Sequence, residues 1–316
     1  MVDDQKLIKG ISKYSNQIGG FAGKYFLPYP KVGSIGQNRV LVASCDGVGT
    51  KILLAQLAKK KFNRSLKTIG IDCVAMVVND LLCSGGEPLF FLDYFCSAKI
   101  NEEDFNEVLE GIYVGCQLTG MELIGGETAE LPNIIEKNTF DVCGFGVGLK
   151  TDELPKSNMK VGDKIIGLPS SGFHSNGYTL LRKHVWSRME KDFIYKLLEP
   201  TIIYKDEVNA LKKEGIEIKG LAHITGGGFN NVNRILPDNL YANIRLYDQN
   251  ETIFFRHEKL FQWIQKEANL TKKEMMATFN CGVGMVVIVP DDSNWLHLSH
   301  VLKDHLILGE LEMVDI

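Results

Sequence analysis

The sequence has no Cys-x-x-Cys pair, no excess of charge of one sign, and no run approaching the ~18 uninterrupted apolar residues of a membrane span. Each absence removes a class of function. The seven cysteines, at 45, 73, 83, 96, 116, 143 and 281, are odd in number and sit mostly inside apolar runs. They read as buried free thiols and not as a disulfide framework or a zinc site. A net charge of -4 leaves no footprint for nucleic acid or an anionic membrane surface. Met1 to Gly10 is polar and lacks a signal-peptide core, so a cytoplasmic protein is expected. Two nucleotide motifs are missing as well. No six-residue frame ends in Gly-Lys-Ser/Thr, and no third glycine completes a dinucleotide fingerprint.

What is present is an ordinary globular composition, 45% hydrophobic and 23% charged over 316 residues, long enough for about two domains of ~100–200 residues each. The most informative stretch is Val40 to Gln56. Val40 to Ser44 read as a buried strand, and Asp46-Gly47-Val48-Gly49-Thr50-Lys51 then turn into the apolar-periodic run Ile52, Leu53, Leu54, Leu57. Glycines let backbone N–H groups approach an anion, a helix N-terminus adds partial positive charge, Lys51 adds a full one, and Asp46 can hold a divalent cation. By itself the hexapeptide reads first as a tight turn with a solvated lysine.

Ile69 to Cys83 predicts a helix. At 100° per residue, Val74, Ala75, Val77, Val78, Leu81 and Leu82 share an apolar arc, while Asp72, Asn79 and Asp80 share a narrow polar one. Asp72 and Asp80 would lie roughly 12 Å apart along the axis, a span suited to a metal-triphosphate. The alternative is a buried helix with one wetted stripe. Glu87 to Ser97 predicts a strand carrying Asp93, Asn101 to Thr119 an amphipathic helix, and Met121 to Pro132 a strand and glycine turn placing Glu127 and Glu130 at a loop. Val142 to Leu149 is a glycine-alternating strand with no helix after it, which argues against a dinucleotide site. The polar stretch from Thr151 to Asp163 is the expected boundary, giving domains 1–151 and 152–316.

In the second half, a strand from Lys164 to Leu168 leads to a Ser/Gly turn presenting His174, Ser175 and Asn176 before a helix from Tyr178 to Met189, with Ser175 or Asn176 as a possible N-cap. His223 to Pro237 repeats the scheme through Thr225, Gly226, Gly227 and Gly228, a short helix and a proline stop. Thr278 to Pro290 is a glycine bulge and an apolar strand, and the tail closes the sheet. Met1 to Tyr14 suggests a short helix, and Ile18 to Pro30 a glycine-rich loop. Two strand-rich halves with helices after glycine turns predict a mixed α/β (α+β) fold.

The segments CDGVGTK, GIDCVAMVVNDLLCSGGEPLFFLDY, GGETAELP, SSGFHSNGYTLLRK, HITGGGFNNVNRILPDN and TFNCGVGM, in this order and spacing, resemble the phosphoribosylformylglycinamidine cyclo-ligases, also called aminoimidazole ribonucleotide synthetases. The likeness covers most of residues 18 to 290. It implies an enzyme of purine biosynthesis that uses ATP and Mg²⁺ to close the ring of formylglycinamidine ribonucleotide. It also implies a homodimer whose N-terminal α/β domains join in an intersubunit β-barrel, beside a second α/β domain. Relative to the family pattern the stretch before the glycine loop is short, retaining Val2-Asp3-Asp4 and Ile8-Lys9-Gly10, which predicts altered ATP affinity. On the resemblance, Asp46, Asp72 and Asp80 hold magnesium and phosphate, and Lys51, with Gly47, Gly49 and Thr50, faces phosphate. Asn79 and Glu127 give polar support, and Gly19, Gly20 and Gly23 form a flap over the nucleotide. His174 transfers a proton or polarises the formyl oxygen, Asn176 orients substrate, and the loop from Thr225 to Gly228 holds a phosphate. His223 is the second catalytic candidate, or else a residue that fixes that loop.

Relatives of the same superfamily fit less well. A selenophosphate synthase would carry a reactive Cys or selenocysteine near its start, and no Cys precedes Cys45. A formylglycinamidine synthetase, with two copies of the fold, needs roughly twice the length. A hydrogenase maturation protein ends in cysteine, whereas the last residues here are Val314-Asp315-Ile316. A degenerate nucleotide-binding partner is the non-enzymatic alternative, against which stand the acids and both glycine loops.

Overall fold

The computed structural model describes residues 21–26, 40–246, 256–291 and 295–314. The helix expected over Met1 to Tyr14 and the flap glycines Gly19 and Gly20 lie outside the described residues. In the N-terminal half, β1 (Gly23–Phe26), β2 (Val40–Gly47), β3 (Gly86–Ser97), β4 (Glu122–Glu130) and β5 (Phe140–Lys150) form a sheet in the order β1-β2-β5-β3-β4. Only β3 and β4 pair in parallel. Three helices, α1 (Lys51–Phe62), α2 (Lys67–Cys83) and α3 (Glu102–Thr119), follow β2 and β3.

The glycine alternation of β5 comes from packing. A Cβ on Gly144 would come within 2.3 Å of the Phe91 ring, and one on Gly146 within 2.6 Å of Val77. Glycine there lets α2 lie flat on the inner face, where Val74, Val77, Val78 and Leu81 are fully buried. Burying each such side chain stabilises the fold by about 1.5–3 kcal/mol. Helices α2 and α3 touch backbone to backbone, since a Cβ on Gly70 would stand 2.0 Å from the Val108 carbonyl oxygen. Asn101 caps α3 by accepting from the Asp104 N–H at 3.0 Å, and three acids in its first turn match the helix dipole.

In the C-terminal half, β6 (Lys164–Pro169), β7 (Gly220–His223), β8 (Leu240–Ile244), β9 (Val283–Val289) and β10 (Leu306–Met313) form an antiparallel sheet in the order β7-β9-β6-β10-β8. Strand β9 is buried throughout, and β10 from the tail enters between β6 and β8. The helices are α4 (Tyr178–His184), α5 (Lys191–Leu197), α6 (Lys205–Lys213), α7 (Glu258–Glu267), α8 (Lys272–Thr278) and α9 (Trp295–Val301). Residues 151–163 form no helix or strand. The mixed α/β reading therefore holds.

Three local expectations do not. Glu127 and Glu130 lie within edge strand β4 and not in a loop, because the parallel ladder with β3 runs through both glycines. The helix from Tyr178 stops at His184 and continues only as a 3-10 turn over Val185–Arg188. Its N-cap is Gly177, at φ 79, with no side-chain cap from Ser175 or Asn176.

Candidate active site

Lys51 is the first residue of α1, and it faces inward. Its ammonium sits 2.8 Å from Asp72 and donates to the Glu199 carbonyl at 2.8 Å, and both side chains of the ion pair are completely buried. Asp72 also accepts from the Thr201 N–H and hydroxyl, each at 2.7 Å. Asn79, buried about two turns further along the same face of α2, donates to the Ile202 carbonyl at 2.8 Å and accepts from the Tyr204 N–H at 3.1 Å. The polar stripe of α2 is thus mostly a docking strip for residues 199–204. Lys51 and Asp72 face each other in the interior, where each has its charge satisfied by the other. Asn79 gives its support to the neighbouring backbone. Periodicity found the stripe, but not which surface covers it.

Asp80, at the end of the stripe, is different. Its side chain is 16% exposed, and it accepts from His223 Nδ1 at 3.1 Å. The Asn79 carboxamide is oriented by the Tyr204 N–H on its oxygen, so its nitrogen, 3.4 Å from His223 Nε2, is a donor. His223 therefore accepts at Nε2 and carries its proton at Nδ1, toward Asp80. The ring is completely buried, and both nitrogens are occupied. That geometry suits a residue that fixes Asp80 and the end of β7 better than one that shuttles protons.

Asp46, near the end of β2, accepts from its own Gly47 N–H at 2.8 Å. Burial, with the charge of Asp80 next in size, pushes its carboxyl up to about 6, and His223 and Arg234 pull it back. Two carboxylates that close repel, and a cation between them relieves the repulsion. Among the described residues no three His, Cys, Asp or Glu side chains gather as a metal cage. Magnesium does not need one: it keeps several waters and is commonly held by one or two carboxylates plus substrate phosphates. Asp46 and Asp80 fit that donor set, while Asp72 is turned to Lys51 and Thr201. Glu127 is exposed on β4, in the cross-sheet row Glu127, Tyr94, Cys143, Gly47. Three strand spacings, roughly 14 Å, separate it from β2, so it is not beside Asp46.

Beyond Asp46 the glycine loop is as expected in part. Gly49 has φ 71 with open space around it, and Gly49 and Thr50 are exposed ahead of α1. The Thr50 hydroxyl lies 3.1 Å from that of Thr179. Gly23 is no free flap, since it opens β1 and pairs with Ala43 of β2. A cavity of about 430 Å³ between α1 and α4 is lined by Leu53, Leu57, Arg182 and Trp186 and carries no acid.

From His223 the chain enters the second glycine loop. The Asn231 carboxamide donates to the His223 carbonyl at 3.3 Å and the Thr225 hydroxyl at 3.0 Å. Gly227 and Gly228 take φ 98 and 56, and a Cβ on Gly228 would meet the Met276 carbonyl at 1.9 Å. Gly226 and Gly227 are exposed. A Cβ on Gly226 would lie 3.3 Å from the Asn176 carboxamide oxygen, and the Asn176 nitrogen is sheltered without a partner. The two loops singled out in the sequence therefore meet at Asn176.

His174 does not join them. At φ 56 its backbone turns the ring into the core, 1% exposed, where Nε2 accepts from the Ser171 N–H at 3.2 Å and Nδ1 has no partner. A Cβ on Gly284 would strike the ring at 2.3 Å. Burial, helped by His223 and Lys51, lowers its pKa well below the usual histidine value. The expectation that the ring projects at an anion before α4 is not met. Arg234 and Phe21 were missed: the guanidinium stands 5.5 Å over the Phe21 ring and contributes to the field at Asp46. Arg234 is in the quoted segment NNVNRILP, and a cation beside a glycine loop was the available signal.

Comparison with known proteins adds to this geometry. Two family models match, AIR synthase related protein, N-terminal domain, over residues 29–149, and the corresponding C-terminal domain over 160–305. Phosphoribosylformylglycinamidine cyclo-ligase of Lawsonia intracellularis is 43% identical over 88% of this chain and 79% of its own length. The protein of that name from Geotalea uraniireducens is 38% identical over 97% and 90%. Among solved structures, AaThiL complexed with AMPPCP and TMP superposes with TM-score 0.66 at 14% identity, covering 98% of this chain and 90% of that one. Hydrogenase maturation protein HypE in complex with ATP gives 0.63 at 16%, over 98% and 87%. At such identities the solved structures show the fold alone.

Proposed function

The chain belongs to the AIR synthase related family, and on that premise we propose that it closes the imidazole ring of formylglycinamidine ribonucleotide, with conversion of ATP to ADP and phosphate, to give 5-aminoimidazole ribonucleotide in purine biosynthesis. What carries the reading is 43% identity over about nine tenths of the chain to cyclo-ligases. The site's chemistry agrees with it.

A formamide oxygen is a poor leaving group. Transfer of the γ-phosphoryl group to that oxygen gives an iminophosphate, the neighbouring nitrogen attacks its carbon, and phosphate departs. The protein supplies mainly position and charge. Asp46 and Asp80 are the residues that would hold Mg²⁺, which neutralises phosphate charge when bound. The exposed residues Gly49 and Thr50 and the positive end of α1 are the elements that would meet the nucleotide phosphates. Gly226 and Gly227 receive the ribonucleotide phosphate, and the Asn176 carboxamide orients the substrate. His223 holds Asp80 in place from behind. ATP as the phosphoryl donor is supported by structural neighbours solved with AMPPCP and with ATP.

The division of labour follows residues 1–151 for nucleotide and assembly and 152–316 for substrate. The chain is proposed to act as a homodimer through the outer face of the N-terminal sheet, where Tyr94 and Phe145 are 39% and 41% exposed. Closing two such sheets on each other would make the intersubunit barrel. Among the described residues no helix is long and apolar enough to cross a membrane, and a cytoplasmic location is proposed. The reading is tested by coupled ADP release: turnover should require formylglycinamidine ribonucleotide, and ATP binding without substrate-dependent turnover would leave a nucleotide-binding protein in its place.

A further inference from the structure

A cation beside the acid pair is held by an aromatic ring and not by a carboxylate. Arg234 closes the 3-10 helix Gly228–Arg234 that follows the second glycine loop. In such a helix residues three apart stand one above the other, so Arg234 shares a side with Asn231, which grips the His223 carbonyl and the Thr225 hydroxyl. His223 in turn holds Asp80. From the other direction comes the segment that opens β1. The Ala22 N–H donates to the Ser84 hydroxyl oxygen at 3.1 Å, one helical turn past Asp80. The antiparallel register, Lys24 with Val42 and Gly23 with Ala43, leads the chain back through Phe21 toward the Asp46 end of β2. Phe21 thus lies between the helix end and the strand end that carry the acids, and the Arg234 guanidinium stands 5.5 Å over its ring.

A guanidinium near carboxylates commonly takes one of them as a bidentate partner. Arg234 does not: among the described residues no acid lies within ion-pairing distance of it, and the residue is exposed. Attraction to a ring face uses no N–H, so its five donors stay open to an anion. Asp80, the acid it could have taken, accepts from His223.

We propose that Arg234 is a catalytic residue that grips the phosphoryl group in transit from ATP to the formyl oxygen, and that Phe21 is the positioning residue that holds its guanidinium for that group. This role rests on the cyclo-ligase reading, and it names the side chain that carries the phosphoryl charge. In the transfer the bond from the γ-phosphorus to the bridging oxygen breaks and its electron pair leaves with ADP, while a bond from the formyl oxygen to that phosphorus forms. Negative charge spreads over the three equatorial oxygens. Arg234 donates to two of them as a planar fork, stays protonated throughout and exchanges no proton. The exposed Gly226 and Gly227 face Asn176 and not the acids, so the ribonucleotide phosphate and the moving phosphoryl group have separate holders.

Steady-state kinetics and calorimetry on the full chain test this together. Arg234→Ala should lower kcat by about 10³-fold or more, with the KM for formylglycinamidine ribonucleotide little changed. Arg234→Lys should stay slow, because a point charge does not replace the fork. Phe21→Leu should lower kcat several-fold, and Phe21→Tyr, which keeps the ring face, should recover most of that loss. A raised substrate KM at unchanged kcat would move Arg234 to the ribonucleotide phosphate, unchanged kinetics would make it a surface cation, and Phe21→Tyr as slow as Phe21→Leu would reduce Phe21 to packing. Each of these overturns the assignment. Calorimetry with ADP and aluminium fluoride, which mimic the phosphoryl group in transit, keeps this failure apart from that of the functional reading. The natural protein should bind the mixture far more tightly than Arg234→Ala, with ADP alone bound alike by both. That result in a protein without substrate-dependent turnover would uphold the grip of Arg234 on the phosphoryl group and overturn the cyclo-ligase reading, whereas equal affinity of the two proteins for the mixture would overturn the role of Arg234 whatever the acceptor.

Discussion

The Lys51 ammonium and the Asp72 carboxylate stand 2.8 Å apart with no exposure of either side chain. The pair joins the start of α1 to α2, and Thr201, through Asp72, and the Glu199 carbonyl, through Lys51, tie it to the C-terminal half. Removing one partner of a buried pair leaves an uncompensated charge and costs about 3–5 kcal/mol. Asp72→Ala should therefore lower the unfolding temperature sharply, and Lys51→Met with Asp72→Leu should recover much of it. Thermal denaturation with ATP titration of the folded variants decides the matter. An unchanged unfolding temperature with a large loss of ATP affinity would return Asp72 to the ligand set.

Asp46 gives a pH dependence with a definite sign. Its pKa is raised from 3.8 to about 6 by burial and by Asp80, so in that window the folded state holds a proton that the unfolded chain has released. The stabilisation is full below about pH 4 and is lost as pH rises through about 6. Asp46→Asn should thus gain stability relative to the natural protein between pH 4 and pH 7, by roughly 1–3 kcal/mol. Denaturant unfolding at several pH values measures the difference. A constant difference across that range would mean that Asp46 is not perturbed.

The two histidines should part company. His223→Ala removes the hydrogen bond that fixes Asp80 while keeping the main-chain carbonyl that Asn231 grips, and should raise KM more than it lowers kcat. His174→Ala opens a buried hole against Gly284 and leaves the Ser171 N–H unpaired, so its main effect should be on unfolding temperature. Loss of general acid–base help typically costs about 10²–10⁴-fold in rate. Such a loss in His174→Ala at unchanged stability would make it the proton-transfer residue after all.

What the sequence revealed follows from physics. The continuous apolar run of β9 and the helical periods of α2 and α3 were visible because burial imposes the pattern. The glycine loops were visible because positive φ and close approach, as at Gly49 and Gly228, demand glycine. The inward contacts of Asp72, Asn79 and Lys51 were not legible because periodicity shows that a face is polar but not whether water, a ligand or another segment covers it. Residues 199–204, which cover it, are more than a hundred positions away in the chain. The burial of the His174 ring was not legible because a positive φ at a non-glycine residue leaves no mark in composition. Arg234 could have been found, and its nearness to Asp46 could not.

Assembly is the fourth test. Cys45, Phe145 and Leu92 form one row across the outer face of the N-terminal sheet, with Tyr94 beside it. An apolar face of this kind marks an interaction surface. Light scattering at micromolar concentration should give a dimer, and Phe145→Glu with Tyr94→Glu should give a folded monomer. A natural protein that is monomeric with its fold intact would remove the proposed barrel.

The central claim is that the formyl oxygen of the substrate is phosphorylated before ring closure. Substrate carrying ¹⁸O in the formyl group, turned over with ATP, tests it directly by mass analysis of the released phosphate. The account predicts that the label appears in phosphate, one atom for each ring closed. Unlabelled phosphate, with the ¹⁸O released as water, would contradict it.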